Sequence, residues 1–213
     1  MTGGTTQPQA HQQDGDAVTR LGGWLFTRRT WLPIPLALAI LLIPSGGSSP
    51  LAVWGGLAIV ALGEGLRIWA VGHIGTISRT RSDRLGPLVS TGPFGLVRNP
   101  LYLGNMTLWA GLAVSAGLAW IVPPILFLLG CEYHAIVRWE EQLLESRVGA
   151  SYRQYAAEVP RWIPRLRRRG QPSGAAASTF SWRETLYSER GTLIAVTVGY
   201  ALLYLKRHLT VEF

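Results

Sequence analysis

The sequence predicts an all-α fold, a multi-pass transmembrane helical bundle with about five membrane helices. Of 213 residues, 48% are hydrophobic and only 15% are charged, and the mean hydropathy is +0.21. That is too little charge to cover a soluble globule of this size. The apolar residues are concentrated at 31–44, 50–63, 101–131 and 193–205. Because crossing a bilayer takes roughly 20 apolar residues in a helix, the block 101–131 predicts two helices.

The placement of charge predicts the orientation of this bundle. The net charge is +8, and most of the basic residues lie before the first apolar block, in the 73–98 loop and in the 138–190 segment. The turns at 45–49 and 115–119 carry no charge. Because Arg and Lys accumulate on the cytoplasmic side, we predict a bacterial inner (plasma) membrane protein with its N-terminus and active site in the cytoplasm. This alternation argues for a membrane and against nucleic acid as the partner.

The first elements follow from local patterns. Residues 1–20 are polar and predict a disordered tail without the apolar core of a secretory signal. The core is predicted to span residues 21–170 and to begin with an interfacial segment, LGGWLFTRR. A first helix follows at about 30–44, with Pro33 in its first turn. The second helix begins near residue 50 and runs to about residue 71, and Glu64 and Arg67 share one of its faces, where they can pair.

The second half of the core is built around a helical hairpin. Residues 72–98 form a loop rich in Gly, Pro, Ser and Thr, and its length is typical of functional loops. Helices three and four fill 101–138 and turn near 115–120, and the fourth continues to the stop signal Gly149. A short amphipathic helix at 151–158, a linker at 171–190 and a C-terminal membrane helix at 191–213 complete the chain. Cys131 is expected to be a small buried side chain.

The hairpin brings two charged segments together. Asn99 as a side-chain cap and Pro100 in the first turn predict a helix start. Free N–H groups and a positive dipole end at such a start, with Arg98 beside them, bind carboxylate or phosphate. Glu140 and Glu141 at the end of helix four are neighbours of this start and accept hydrogen bonds from hydroxyl or ammonium groups. Since adjacent helical residues point about 100° apart, we expect only one of them, preferably Glu140, to project fully into the pocket.

The motifs GPFGLVRNPLYLGN at 92–105 and EEQLLESRVGASYRQYAAEVPRWIP at 140–164 carry a resemblance. They resemble the membrane methyltransferases of the isoprenylcysteine carboxyl methyltransferase and phospholipid N-methyltransferase superfamily. That signature runs G-P-Y, V-R-H-P-x-Y-x-G, E-E, then G-x-x-Y-x-x-Y and a proline. The similarity covers roughly residues 60–165 and implies a cytoplasmic cofactor pocket in the bundle.

The resemblance implies S-adenosylmethionine as cofactor and methyl transfer as activity. It implies a cofactor pocket lined by Arg98, Asn99, Pro100, Tyr102, Gly104, Glu140 and Glu141, of which Arg98, Glu140 and Glu141 are the candidate catalytic residues. A lipid, prenyl-cysteine or small apolar acceptor would enter from the bilayer. We expect the acceptor side to include Arg67, Glu132, His134, Tyr152 and Arg161.

Two positions depart from the family pattern. Asn99 stands where the family most often has His, and Phe94 where it often has Tyr. Asn donates a hydrogen bond but takes up no proton in the physiological range, so we assign no general base to position 99. The missing hydroxyl at Phe94 is expected to affect packing only.

Two alternative functions remain open at the level of sequence. One is a sterol-reductase-like membrane enzyme that uses NADPH, against which the chain length and the Glu pair argue. The other is an inactive membrane binding or scaffold protein with the same fold, which Asn99 permits. No metal is expected, since His73 and His134 have no second ligand at a suitable spacing.

Overall fold

A computed structural model describes residues 16–45, 49–74, 88–165 and 180–210. Its helices are α1 (Ala17–Arg28), α2 (Pro33–Leu42), α3 (Pro50–Ile74), α4 (Pro100–Ser115), α5 (Val122–Val148), α6 (Ala150–Glu158) and α7 (Trp182–Thr210). Two short 3₁₀ turns lie at Gly92–Gly95 and Ala119–Ile121. All regular structure in these described ranges is helical, so the predicted all-α class is confirmed.

Helices α3 and α4 pack closely because glycines line their contact. A Cβ atom on Gly63 would lie 2.9 Å from the carbonyl oxygen of Gly104, and one on Gly104 would lie at the same distance from Gly63. Small residues let two backbones approach in this way. The close contact fixes Arg67, on α3, against the first turns of α4, where the predicted pocket begins.

The N-terminal region differs from the prediction in where its first helix begins. The Asp16 side chain accepts a hydrogen bond of 2.8 Å from the Thr19 amide, so α1 starts at Ala17, inside the predicted 1–20 tail. The predicted interfacial segment and the predicted first helix over 30–44 correspond to α1 and α2, which meet at a bend of 67°. Pro33 occupies the first position of α2 and has no N–H to continue a helix from α1.

The hairpin and its extension follow the prediction closely. Pro123 and Pro124 lie in the first turn of α5, which continues without interruption to Val148. Gly149 ends it with a φ of 62°, a backbone conformation that favours glycine. The α6 helix then begins at once, so α5 and α6 carry the second motif to the N-terminal end of α4.

The predicted linker at 171–190 is wrong in its second half. Helix α7 begins at Trp182, and Thr185, Ser188 and Glu189 are buried against the bundle. The apolar block 193–205 alone predicts a helix start near residue 191. The buried contacts extend the helix toward the N-terminus, to Trp182. Positions 171–179 of the linker and 75–87 of the loop lie outside the described residues.

The number of membrane crossings can be compared with the five expected from the sequence. Within the described ranges, α3 and the stretch Ala119–Val148 are long and apolar enough to cross a membrane, and the bent α1–α2 pair would make a third span. Helix α4 has only 16 residues, and charged residues at both ends of α7 leave its apolar part short. The count of five is therefore not confirmed.

The expected burial of Cys131 is wrong. Its side chain is exposed, on the same outward face of α5 as Phe127 and Leu128, which are 70% and 57% exposed. These three positions are spaced at one helical turn. Apolar character alone does not distinguish a core face from a face that meets lipid.

Candidate active site

An ion-pair cluster joins the two sequence motifs. The Arg98 guanidinium lies 3.0 Å from the Glu141 carboxylate, and Arg161 binds the same carboxylate through two hydrogen bonds of 3.0 and 2.5 Å. The Arg98 and Glu141 side chains are each 14% exposed. A carboxylate shared by two guanidinium groups in such a setting is strongly oriented. We call Arg98, Glu141 and Arg161 the arginine clamp.

Backbone hydrogen bonds hold the same two motifs together. The Arg98 amide donates to the Pro160 carbonyl at 2.9 Å, and the Arg165 amide donates to the Leu96 carbonyl at 3.0 Å. The Tyr155 hydroxyl donates to the Phe94 carbonyl at 2.8 Å. The loop before α4 and the segment after α6 therefore form one rigid unit.

Asn99 holds this unit through its side chain. It occupies the N-cap position of α4, but its side chain makes no capping hydrogen bond. Its amide nitrogen donates instead to the Arg161 carbonyl at 3.1 Å. The predicted side-chain cap is thus wrong, because the backbone of the second motif lies within reach of the Asn99 amide.

Two tyrosines of α6 pack beneath the clamp. Burial, together with the negative charge of Glu141, raises the pKa of Tyr152 to about 12, and burial raises the pKa of Tyr155 as well. Both hydroxyls are therefore neutral at physiological pH. The Tyr152 hydroxyl accepts a hydrogen bond of 3.4 Å from Arg98, and hydrogen bonding to Glu141 raises the pKa of Arg161, which stays fully charged.

Glu140 makes a different set of contacts from Glu141. Its carboxylate accepts a hydrogen bond from the Tyr102 hydroxyl on α4, and the ring of Tyr102 lies 4.6 Å from that of Tyr133. The expectation that only one of the two glutamates reaches the pocket is wrong. Both line it, Glu140 on the α4 side and Glu141 on the side of the clamp.

A second polar cluster lies deeper in the bundle. Arg67 pairs with Glu189 of α7 at 2.7 Å and also contacts Asn105, whose side chain hydrogen-bonds Tyr133. The predicted Glu64–Arg67 pair is present but longer, at 3.7 Å. Sequence reasoning placed Glu189 in a linker and missed it. Its position four residues before the apolar block 193–205 was the available signal.

Both clusters line a cavity of about 1070 Å³. Its polar end contains Arg98, Asn99, Pro100, Tyr102, Glu140, Glu141 and Tyr152, and Arg67 lies beside Glu189 farther in. A second, more open cavity of about 800 Å³ contains Asp16, Arg138, Glu145 and Arg153. The two cavities share Arg98, Glu141 and Tyr152, so the clamp stands between an open polar space and the interior of the bundle.

Three predicted site residues have other surroundings. A Cβ atom on Gly104 would meet the Arg67 side chain at 2.5 Å, so this glycine serves the contact between α3 and α4. Glu132 is half-buried and His134 is exposed on α5, and neither is among the cavity-lining residues. They flank buried Tyr133 on the helix and therefore point away from the cavity. Of the five residues predicted for the acceptor side, Arg67 and Tyr152 line the larger cavity. Arg161 does not line it but hydrogen-bonds Glu141, which does.

No group of three or more metal-ligating side chains occurs in the described part of the chain. The His73 ring contacts the Thr91 hydroxyl at 3.1 Å. This contact gives His73 a structural role at the loop before the first motif.

Part of the chain matches a known protein family. Residues 51–150 match the family described as phospholipid methyltransferase, which confirms the resemblance carried by the motifs. A nickel-cobalt-cadmium resistance protein of Alcaligenes xylosoxydans xylosoxydans is 25% identical over 134 residues, 62% of each chain. A cobalt-zinc-cadmium resistance protein of Cupriavidus metallidurans is 28% identical over 118 residues, 55% of this chain. The chain spans only 62% and 51% of these relatives' lengths. No solved structure matches it significantly.

Proposed function

We propose that the protein, whose residues 51–150 match the phospholipid methyltransferase family, transfers a methyl group from S-adenosylmethionine to a membrane-borne acceptor. The observation that carries the proposal is the arginine clamp. It joins the two motifs at the polar end of a cavity that extends into an apolar bundle. Such a cavity can hold a water-soluble cofactor beside a lipid-soluble acceptor.

The residues at the polar end fit this cofactor. The Arg98 Nε atom is buried and has no hydrogen-bond partner in the described part of the chain, which favours a ligand that completes its bonding. Arg98 suits the cofactor carboxylate, while Glu140 and Glu141 suit its ammonium group and ribose hydroxyls. Leu88, Val89 and Leu144 give the same end apolar walls suited to a purine ring.

The chemistry that S-adenosylmethionine supplies is a methyl group on a sulfonium, which an acceptor lone pair attacks while the C–S electron pair returns to sulfur. The chain's own residues contribute position and exclusion of water. The clamp and the Asn99 hydrogen bond fix the loop before α4, and Tyr102 fixes Glu140. Orientation of two reactants contributes up to about 7–11 kcal/mol in the best intramolecular cases. No general base is required when the acceptor reacts as a thiolate, carboxylate or neutral amine.

The acceptor in this proposal is a lipid or lipid-linked molecule that enters from the bilayer. Two observations support this: α3 and α5 are apolar enough to cross a membrane, and the cavity is lined mostly by apolar side chains beyond Arg67. The distribution of basic residues supports an active site on the cytoplasmic side of the membrane.

The direct test is to incubate membranes containing the protein with S-adenosylmethionine labelled on the methyl group. We expect a labelled lipid-soluble product that is lost in the Arg98→Ala variant and kept in the Arg153→Ala variant, whose side chain is exposed. Mass spectrometry of the labelled product would identify the acceptor. Absence of any label above that of membranes lacking the protein would contradict the proposal.

A binding protein without turnover is the second candidate, and Asn99 is the observation that favours it. The family position most often holds His, and here the side chain is committed to the Arg161 carbonyl. Such a protein would bind S-adenosylhomocysteine without producing labelled lipid. The labelling experiment and a binding measurement together distinguish the two functions.

A further inference from the structure

Helix α7 forms one wall of the larger cavity although it lies outside the matched region 51–150. Its lining residues run from Ser188 to Leu203 and include Glu189 and Gly199. The first part of this wall is polar and the remainder is small or apolar. The helix therefore offers one ligand both a polar contact and a long apolar surface.

Polar contacts fix α7 at three levels. Glu189 accepts hydrogen bonds of 2.7 and 3.1 Å from Arg67, and Tyr200 contacts the Ser115 hydroxyl of α4 at 2.9 Å. Lys206 donates to the carbonyls of Ile40 and Ile43 at the C-terminal end of α2. A wall held at both ends and in the middle keeps the cavity at a defined width.

Ser188 stands at the polar end of this wall without a partner. Its side chain is buried, with 6% exposure, and the hydroxyl has no hydrogen bond in the described part of the chain. A buried hydroxyl without a partner is unfavourable, so native proteins usually satisfy it. Because Ser188 lines the cavity beside Arg67 and Glu189, a ligand in the cavity is the partner that fits.

The apolar part of the wall is long and has a gap at one position. At about 1.5 Å per helical residue, the cavity wall from Glu189 to Leu203 is about 21 Å long. A Cβ atom on Gly199 would lie 3.7 Å from the Leu112 side chain, an ordinary contact. Alanine therefore fits there, whereas a large side chain would fill the space between α7 and α4.

We propose that α7 holds the acceptor, with Ser188 hydrogen-bonding its polar group and its apolar chain lying along α7 past Gly199. The ligand class is an amphiphile with one small polar head and a long alkyl or prenyl chain. The proposal rests on the proposed function, since the Ser188 end of the wall is continuous with the cavity where the cofactor would react.

The test uses three photoreactive mimics with a diazirine at the end of the chain: a phosphatidylethanolamine, an S-farnesyl cysteine and a long-chain alkanethiol. Each is irradiated with the full chain in phosphatidylcholine nanodiscs, and the crosslinked residues are mapped by mass spectrometry. The variants are Gly199→Phe, which fills the gap, and Ser188→Ala, which removes only the hydroxyl. Ile194→Phe is the matched control, because Ile194 is 62% exposed on the same helix and does not line the cavity.

We expect at least one mimic to label α7 or α4 residues that face the cavity, such as Leu203 and Leu112. This labelling should be lost in Gly199→Phe and kept in Ile194→Phe. Ser188→Ala should weaken it about fivefold, as expected for one hydrogen bond. Crosslinks confined to lipid-facing residues, or equal labelling of Gly199→Phe and wild type, would overturn the proposal.

A binding measurement separates this proposal from the proposed function. S-adenosylhomocysteine should bind Gly199→Phe and Ile194→Phe as it binds wild type, because both changes lie away from the arginine clamp. If S-adenosylhomocysteine fails to bind the wild type, the proposed function fails. If it binds normally and the cavity is not labelled, only the role of α7 fails.

Discussion

Arg98 and Glu141 lie 3.0 Å apart, although one belongs to the loop before α4 and the other to the end of α5. The pair is completed by Arg161, which comes from the segment after α6. Three separate parts of the chain thus converge on one carboxylate. The Glu141 carboxylate lines both cavities. A ligand in either cavity therefore lies beside the Arg98–Glu141 ion pair.

The arginine clamp should contribute measurably to stability. In a double-mutant cycle of Glu141→Ala and Arg161→Ala, we expect a coupling of about 1–3 kcal/mol, since contacting partners in one buried network are rarely additive. The measurement is unfolding by denaturant in detergent micelles. The control pair is Arg153 and Glu145, which lie 3.4 Å apart with side chains 64% and 48% exposed. Their coupling should stay below about 1 kcal/mol, and equal couplings for both pairs would contradict this ranking.

Asn99 should act as a hydrogen-bond donor and in no acid–base role. Asn99→Ala removes the bond to the Arg161 carbonyl and should weaken S-adenosylhomocysteine binding by about fivefold. Asn99→His should retain most of the binding, because an imidazole N–H can donate to the same carbonyl. Isothermal titration gives both affinities. If Asn99→Ala binds like wild type, the hydrogen bond does not position the site.

Glu189 should stabilise the bundle through Arg67. Glu189→Ala leaves a buried guanidinium without its principal partner, and we expect a loss of about 3 kcal/mol in the free energy of unfolding. Glu184→Ala, on the exposed face one turn earlier in α7, should change it by less than about 0.5 kcal/mol. Similar losses in both variants would show that the effect belongs to the helix and not to the pair.

Two single-cysteine variants test the orientation in the membrane. In a Cys131→Ser background, Ser49→Cys before α3 should react with a membrane-impermeant maleimide added from outside intact cells. Ser151→Cys in α6 should react only after the cells are opened. Both serines are exposed, so accessibility alone does not separate them. The reverse pattern would invert the proposed topology; Ser82 and Ser173, the other positions suited to this test, lie outside the described residues.

Much of the fold and the first part of the site could be predicted because local signals were strong. Pro at helix starts and Gly149 at a helix end marked α4 and α5, and the hairpin placed Arg98 near the glutamates by connectivity alone. Arg161 was assigned on the other side of the pocket. Its partner depends on how the segment after α6 folds back, which no local pattern encodes.

The misses share a physical cause, because each depends on tertiary contact. Glu189 is charged and precedes an apolar block, so it resembles a linker residue until Arg67 is placed opposite it. Cys131 lies in a part of α5 that is apolar on all its faces, and the sequence does not indicate which face meets lipid. The Asn99 side chain favours a cap, yet a carbonyl from the second motif takes its hydrogen bond.

The most direct test of the central claim is the thermal stability of the detergent-purified protein with S-adenosylhomocysteine and, separately, with NADPH. We expect S-adenosylhomocysteine alone to raise the melting temperature, and we expect Arg98→Ala and Glu140→Ala each to diminish that rise. Stabilisation by NADPH alone would support a reductase instead. A response to S-adenosylhomocysteine that is unchanged in both variants would contradict the site described above.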